Sequence, residues 1–429
     1  MRTTAPIVRP MQAFTVTRPE QTVMKNGIPL KIICEGAQEV VRLDIIIGAG
    51  RWNQAQSLQA LFTTRMLREG TKSLLSAQIA ERLDYYGSWL DLSTTMQHSI
   101  LTLYTLSKHF PDTLAIMEQL IKEPTFPDEQ LELVLRNNRQ QFLINREKVN
   151  FLSQQALCAA AFGPNHPMGV SIEEWDYDRI SAVQLREFFE EYYHSDNCKV
   201  FLSGLITKKE IQLVEETLGN EAWGNVKSFI GPRQFQLQRT DEKRIFLPKA
   251  DSMQCAISLG ALMPTCQDPD SLGLRVLIMA LGGYFGSRLM ANIREEKGFT
   301  YGIQAHLTHV PDTGLLVISS ETTPENVEPL IHEIYCELKR LKDEIIPEEE
   351  LERVRAYMMG EMARTYEGAF SLADAWLHIE LSHLPYDHPE QAMHILENIS
   401  GKELQVLAQK YFDENSIFEI VAGGERIKN

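Results

Sequence analysis

Hydrophobic and polar positions alternate at a period of two along several stretches of this chain, which predicts strands. Val40 to Gly48 is apolar and β-branched, and Trp89 to Thr95 with His98 to Leu106 alternate as the arms of a hairpin would. Lys199 to Ser203 returns to that pattern, as do Cys255 to Leu259, Tyr301 to Thr308 and Gly314 to Ser320 further on. Between them the period lengthens to that of a helix. Leu58 to Arg68 is closed by Gly70, Ser76 to Tyr86 by Gly87, and Asp128 to Asn145 is opened by Pro127. Phe110 to Ile121, Ser181 to Tyr193, Asp270 to Leu281, Ser287 to Glu296 and Pro324 to Asp343 read the same way. Strands and helices mixed without strict β–α–β alternation predict an α+β fold, with helices packed on mostly antiparallel sheets.

The pattern occurs twice. Ile180, Ser181, Leu185, Tyr192 and Gly204 return as Ile399, Ser400, Leu404, Tyr411 and Gly423, displaced by 219 positions. Pro127, Glu129, Leu131 and Glu132 return as Pro347, Glu349, Leu351 and Glu352, displaced by 220. Two separate segments sharing nearly one offset indicate two homologous domains. The expected division is 1–225 and 240–429, with 226–239, a stretch bearing Gly, Pro, Gln and Arg, as linker.

Composition narrows the partners. The formal net charge is −16 over 429 residues, which argues against nucleic acid and anionic membranes, both of which need basic surface. The most apolar windows, such as Leu43 to Ala49, have the length of a strand and not of a membrane span. Met1 to Thr17 is too short and too interrupted by Pro to press as a targeting segment. The six cysteines are scattered and form no C-x-x-C pair. They read as reduced core thiols, so the expected location is the cytoplasm.

Two segments carry a family resemblance. The first runs Leu58 to Thr71, with Met66-Leu67 and Gly70-Thr71 at its end, after Ile46-Ile47-Gly48-Ala49-Gly50-Arg51. The second runs Leu281-Gly282-Gly283, Ser287-Arg288-Leu289, then Ile293-Arg294-Glu295-Glu296-Lys297-Gly298-Phe299-Thr300-Tyr301. Together with His166-Pro167 and the two-half layout, they resemble the insulinase/pitrilysin family of zinc metallopeptidases, which includes the mitochondrial processing peptidases. In that family the first helix carries H-x-x-E-H. Two imidazoles four apart hold one zinc ion, and the Glu between them takes a proton from the bound water.

Here the His positions are Leu61 and Arg65 and the Glu position is Thr64. Leu has no lone pair, Arg stays protonated and repels a cation, and Thr is a poor base. The family's distal Glu ligand falls near Gln140 and Gln141, where this chain has no carboxylate. No H-x-x-E-H or H-E-x-x-H stands anywhere in the chain. The expectation is no metal and no cofactor in this chain, with zinc in a homologous partner subunit.

Arg294 and Tyr301 remain intact. The resemblance implies that these two side chains reach the zinc site of the other half or subunit. Peptide hydrolysis develops negative charge on the carbonyl oxygen, and a guanidinium and a phenol are suitable donors to it. Gly282 and Gly283 are candidates for close backbone approach by a peptide, and a phosphate loop is disfavoured because no Lys-Ser/Thr follows. His306 and His309 are expected on opposite faces of a strand; His378, Glu380 and His383 read as ordinary polar positions. The function so implied is a non-catalytic, substrate-binding subunit of a heteromeric zinc endopeptidase, acting on peptides and able to self-associate when isolated. The alternative is a structural relative with no role in proteolysis. A self-sufficient hydrolase finds no support, since neither G-x-S-x-G nor a Cys–His signature is present.

Overall fold

The computed structural model describes residues 14–224 and 233–425. Half of the expected linker, 226–232, thus lies outside the described residues, as does most of Met1 to Thr17; the other half, 233–239, carries no regular element.

Two sheets organise the chain. The first contains β1 (Glu20–Val23), β2 (Pro29–Cys34), β3 (Val40–Ile47), β4 (Trp89–Thr94), β5 (Ser99–Leu106) and β6 (Cys198–Gly204), in the order β1-β2-β6-β3-β5-β4. The second contains β7 (Arg244–Leu247), β8 (Cys255–Met263), β9 (Thr300–Val310), β10 (Thr313–Thr322) and β11 (Phe418–Ala422), in the order β7-β11-β8-β10-β9. With β1 set aside the two orders are the same. Within each sheet one pair is parallel, β2 with β6 and β7 with β11. The rest are antiparallel, as the mixed pattern predicts.

The repeat has a physical form at three of its matched pairs. Ser181 and Ser400 cap the helices Ala182–Tyr192 and Gly401–Tyr411, each accepting from the backbone three residues on while Gln184 or Glu403 reaches back. Gly204 and Gly423 leave the strands that follow at φ of 122° and 115°, a conformation a side chain would strain. Pro127 and Pro347 stand in extended conformation just before the helices Asp128–Arg146 and Glu348–Thr365.

The central strands are buried on both faces. On β3 the odd positions Val41, Leu43, Ile45 and Ile47 enter the core of the first half, while Ile46 joins Ile33, Ile100 and Phe201 in a core shared with the second. That second face is covered by a helix from the other half. Ala369–Leu381 lies on β2 and β6, and Val149–Phe162 lies on β8 and β11. These helices, too, are displaced by 220 positions, so each half lends its partner a cover. Leu157, Ala160, Ala161 and Phe162 pack on Leu315, Val317, Phe418 and Ile420. Burying each Leu, Val, Ile or Phe of this set contributes about 1.5–3 kcal/mol, and each Ala less. Gly260 lets the helix come close: a Cβ there would stand 2.9 Å from Leu157 methyls and from the Leu316 carbonyl oxygen. Among the described residues no helix is long and apolar enough to cross a membrane.

Candidate functional site

The helix Gln59–Met66 starts from Leu58 at φ 71° and follows β3, which aims its buried face at the first-half core. Thr64 is fully buried. Its hydroxyl lies 2.9 Å from the Ala60 carbonyl oxygen, 2.7 Å from Ser99 Oγ, and 3.0 Å from both the Tyr193 phenol and Thr94 Oγ1. Burial pushes Tyr193 up to about 12, so its phenol stays neutral. Leu61 packs on the same core. Arg65 finds no ion pair among the described residues, and burial lowers its pKa while the Tyr177 phenol acts against that.

Gln140 and Gln141 are exposed, and Gln141 donates to Asn145 at 3.3 Å. The inward residue of that helix is Phe142, whose ring meets Tyr177 at 5.7 Å, which in turn meets Phe62 at 6.0 Å. A closed hydroxyl network and an aromatic bridge thus occupy the region, and the donor set there does not fit zinc. Among the described residues no group of three or more His, Cys, Asp or Glu is arranged to hold a metal ion.

The second-half motif divides into consumed and free side chains. Leu289 and Ile293 are fully buried. Arg288 grips Glu350 through two bonds of 2.7 and 3.0 Å, Lys297 pairs with Glu333, and Asn292 donates to Glu333 and Glu337. These fix the segment to neighbouring helices. Arg294 has no hydrogen bond or ion pair among the described residues; its guanidinium lies over the Phe285 ring, 4.7 Å from the centroid. Gly298, at φ 64°, ends the helix, and Phe299 donates back to the Ile293 carbonyl oxygen. The chain then enters β9, where Tyr301 is 92% exposed; Phe285, under the Arg294 guanidinium, is 61% exposed.

β9 is the outer strand of its sheet, paired on one side only by β10. Alongside it runs a groove of about 480 Å³ that Tyr301, Met290, Asn150, Ser153 and Gln154 help to line. Gly282 is buried, and a Cβ there would stand 2.7 Å from the Ala305 Cβ; packing against β9 accounts for it. Gly283 is exposed.

Glu380, which the sequence gives as an ordinary polar position, ties the halves together. It accepts from Lys199 at 2.6 Å and from Lys31, with Tyr386 against the same pair. Burial works against its charge, but the two lysines outweigh that and hold it down to about 2. Arg42 performs a parallel task, binding buried Asp44 on its own strand, Asp374 at 2.7 Å and the Phe370 carbonyl oxygen on the covering helix. No local signal marks these residues, because their partners lie hundreds of positions away.

Comparison with known proteins gives two matches along the chain. The family model described as Insulinase (Peptidase family M16) matches residues 33–169, and that of the Peptidase M16 inactive domain matches 179–358. An uncharacterized zinc protease, YmxG, of Bacillus subtilis is 22% identical over 93% of this chain and 97% of its own length. A protein of Helicobacter pylori named a non-peptidase homolog is also 22% identical, over 85% and 84%. Among solved structures, a peptidase M16 inactive domain from Pseudomonas fluorescens superposes with a TM-score of 0.84 at 19% identity, covering 96% of this chain and all of that one. A protease from Helicobacter pylori superposes at 0.86 with 15% identity, covering 94% and 99%.

Proposed function

This chain belongs to the insulinase family of peptidases, family M16, and we propose that within it the chain is a zinc-less, substrate-binding subunit of a heteromeric zinc endopeptidase. The observation that carries this reading is the contrast inside one motif. Arg288 and Lys297 are spent on ion pairs within the fold, whereas Arg294 and Tyr301 have no such partner and Tyr301 stands almost wholly in solvent. A cation and a phenol left free beside an unpaired strand are suited to a peptide and to a second subunit.

In this reading a homologous chain bearing H-x-x-E-H holds the zinc, and Arg294 and Tyr301 donate to the substrate backbone or to the oxyanion. The peptide adds as a strand to a sheet edge, with Gly283 within its reach, so that backbone and not side-chain identity is read first. The complex works in the cytoplasm, consistent with six free cysteines. Without its partner, the same surface can pair two copies of this chain.

A second reading, a structural relative with no part in proteolysis, draws on the relative named a non-peptidase homolog. The two separate in the assembled complex. Arg294→Ala or Tyr301→Phe is expected to lower kcat about 10²- to 10³-fold while sedimentation shows the complex intact. An unchanged kcat supports the structural reading instead.

A further inference from the structure

A larger cavity, about 980 Å³, opens between the halves. Its walls come from the helices Ser271–Ile278, Glu348–Thr365 and Ala369–Leu381, from β9, and from the β4–β5 turn at Thr95 to His98. Its lining departs from the rest of the molecule. The chain holds 58 acidic residues against 42 Lys and Arg, yet one carboxylate borders this space, and that one, Asp374, is engaged by Arg42. Six of the eleven histidines border it.

Arg275 projects from a helix whose sequence, Ser-Leu-Gly-Leu-Arg-Val-Leu-Ile, is otherwise nearly all apolar. Arg275 is exposed and borders the cavity. Among the described residues it has neither a hydrogen bond nor a carboxylate in ion-pair range, and the stretches outside them contain no Asp or Glu. Desolvation lowers its pKa, and its charge, second to burial, helps hold His388 down to about 4. Burial is the first cause that lowers His306, His309 and His378 as well. Met279, Leu307, Val310 and Leu377 supply apolar wall on the same lining.

We propose that this chamber binds an organic carboxylate with an apolar body, the charge held by Arg275 and the body by the apolar wall. An unpaired, partly desolvated guanidinium gains most from an anion that replaces its lost water. The volume lies in the range of sites for small organic ligands. Two sources share the chemistry: the carboxy terminus of a short peptide, and a free carboxylic acid. This inference does not rest on the partner-subunit reading, since it concerns the chain by itself and uses neither Arg294 nor Tyr301.

The test is isothermal titration of the full chain with N-acetyl-Ala-Ala-Leu, its carboxamide, and octanoate. Saturable binding of a carboxylate is expected, at least tenfold weaker for the carboxamide or in Arg275→Met, the loss set by one charge-assisted bond, and partly recovered in Arg275→Lys. Binding of the peptide acid but not octanoate assigns the peptide terminus; the reverse assigns a free acid. Should Arg275→Met not fold, the acid-against-amide comparison on the unaltered chain still decides. No heat from either carboxylate up to about 10 mM, weaker than any specific site of this size, overturns the proposal. So does equal binding of peptide acid and carboxamide with no response to octanoate, or carboxylate binding that Arg275→Met leaves unchanged.

Discussion

Thr64 shows what has become of the residues where a relative would hold a metal. A hydroxyl in contact with four other oxygens and fully buried has a structural job, and removing it strands its neighbours. Thr64→Val keeps the volume but leaves Ser99 and Tyr193 short of a partner, so it is expected to cost about 1–3 kcal/mol, read by denaturant unfolding. Writing His, Glu and His at Leu61, Thr64 and Arg65 is expected to cost more, because an uncompensated carboxylate would replace the buried Thr64. That triple variant should melt lower than the parent and take up no stoichiometric zinc in dialysis; tight uptake would show that the site is dormant and not dismantled. The motif that contains Arg294 and Tyr301 was legible in the sequence, as was its place at a helix end and the strand that follows. That Arg288 beside them pairs with Glu350 was not, since the pairing depends on how two helices dock.

Strands β3, β5, β9 and β10 stand where the pattern predicts: the central ones are apolar, β-branched runs buried on both faces, and the outer strand β9 alternates buried and exposed from Ile303 to His306. The short strands β1, β2 and β7 were not anticipated, and neither was the helix Val149–Phe162. That helix is mostly apolar, Val-Asn-Phe-Leu-Ser-Gln-Gln-Ala-Leu-Cys-Ala-Ala-Ala-Phe, and its face is matched to the other half's sheet, a surface absent from its own neighbourhood in sequence. The 220-residue repeat could have placed it opposite Ala369–Leu381, had that second helix been read in full. Its close seat on β8 yields an element-scale prediction. Gly260→Ala puts a methyl within 2.9 Å of the Leu316 carbonyl oxygen, and is expected to destabilise by about 1–3 kcal/mol through overpacking. Leu157→Ala in the same background should recover part of that loss, measured as a double-mutant cycle.

For the molecule as a whole, two lysines from one half meeting one glutamate from the other make acid stability a property of the joint. Glu380 lies near 2 in the fold against an ordinary 4.5, so its contribution is present above about 4.5 and is lost as pH falls from there towards 2. His98 and His388 go down to about 4 against an ordinary 6.5, burial being the larger cause in each. The unfolded chain takes up their protons first, so stability also declines as pH falls from 6.5 to 4. Melting temperature is expected to drop across both windows. Glu380→Gln, which leaves Lys31 and Lys199 facing no charge, should cost about 1–3 kcal/mol at neutral pH, less than a fully buried pair. It should also shrink the lower window, to which Asp270 and Glu333, likewise held down by lysine partners, still contribute, while leaving the upper one.

The proposed function stands or falls on whether the chain works only with a zinc-bearing homologue. The most direct measurement is cleavage of a fluorogenic peptide mixture by this chain alone, by an H-x-x-E-H homologue alone, and by the two together. Cleavage that requires both, and stops on chelation, is the predicted result. Chelator-sensitive cleavage by this chain by itself would contradict it.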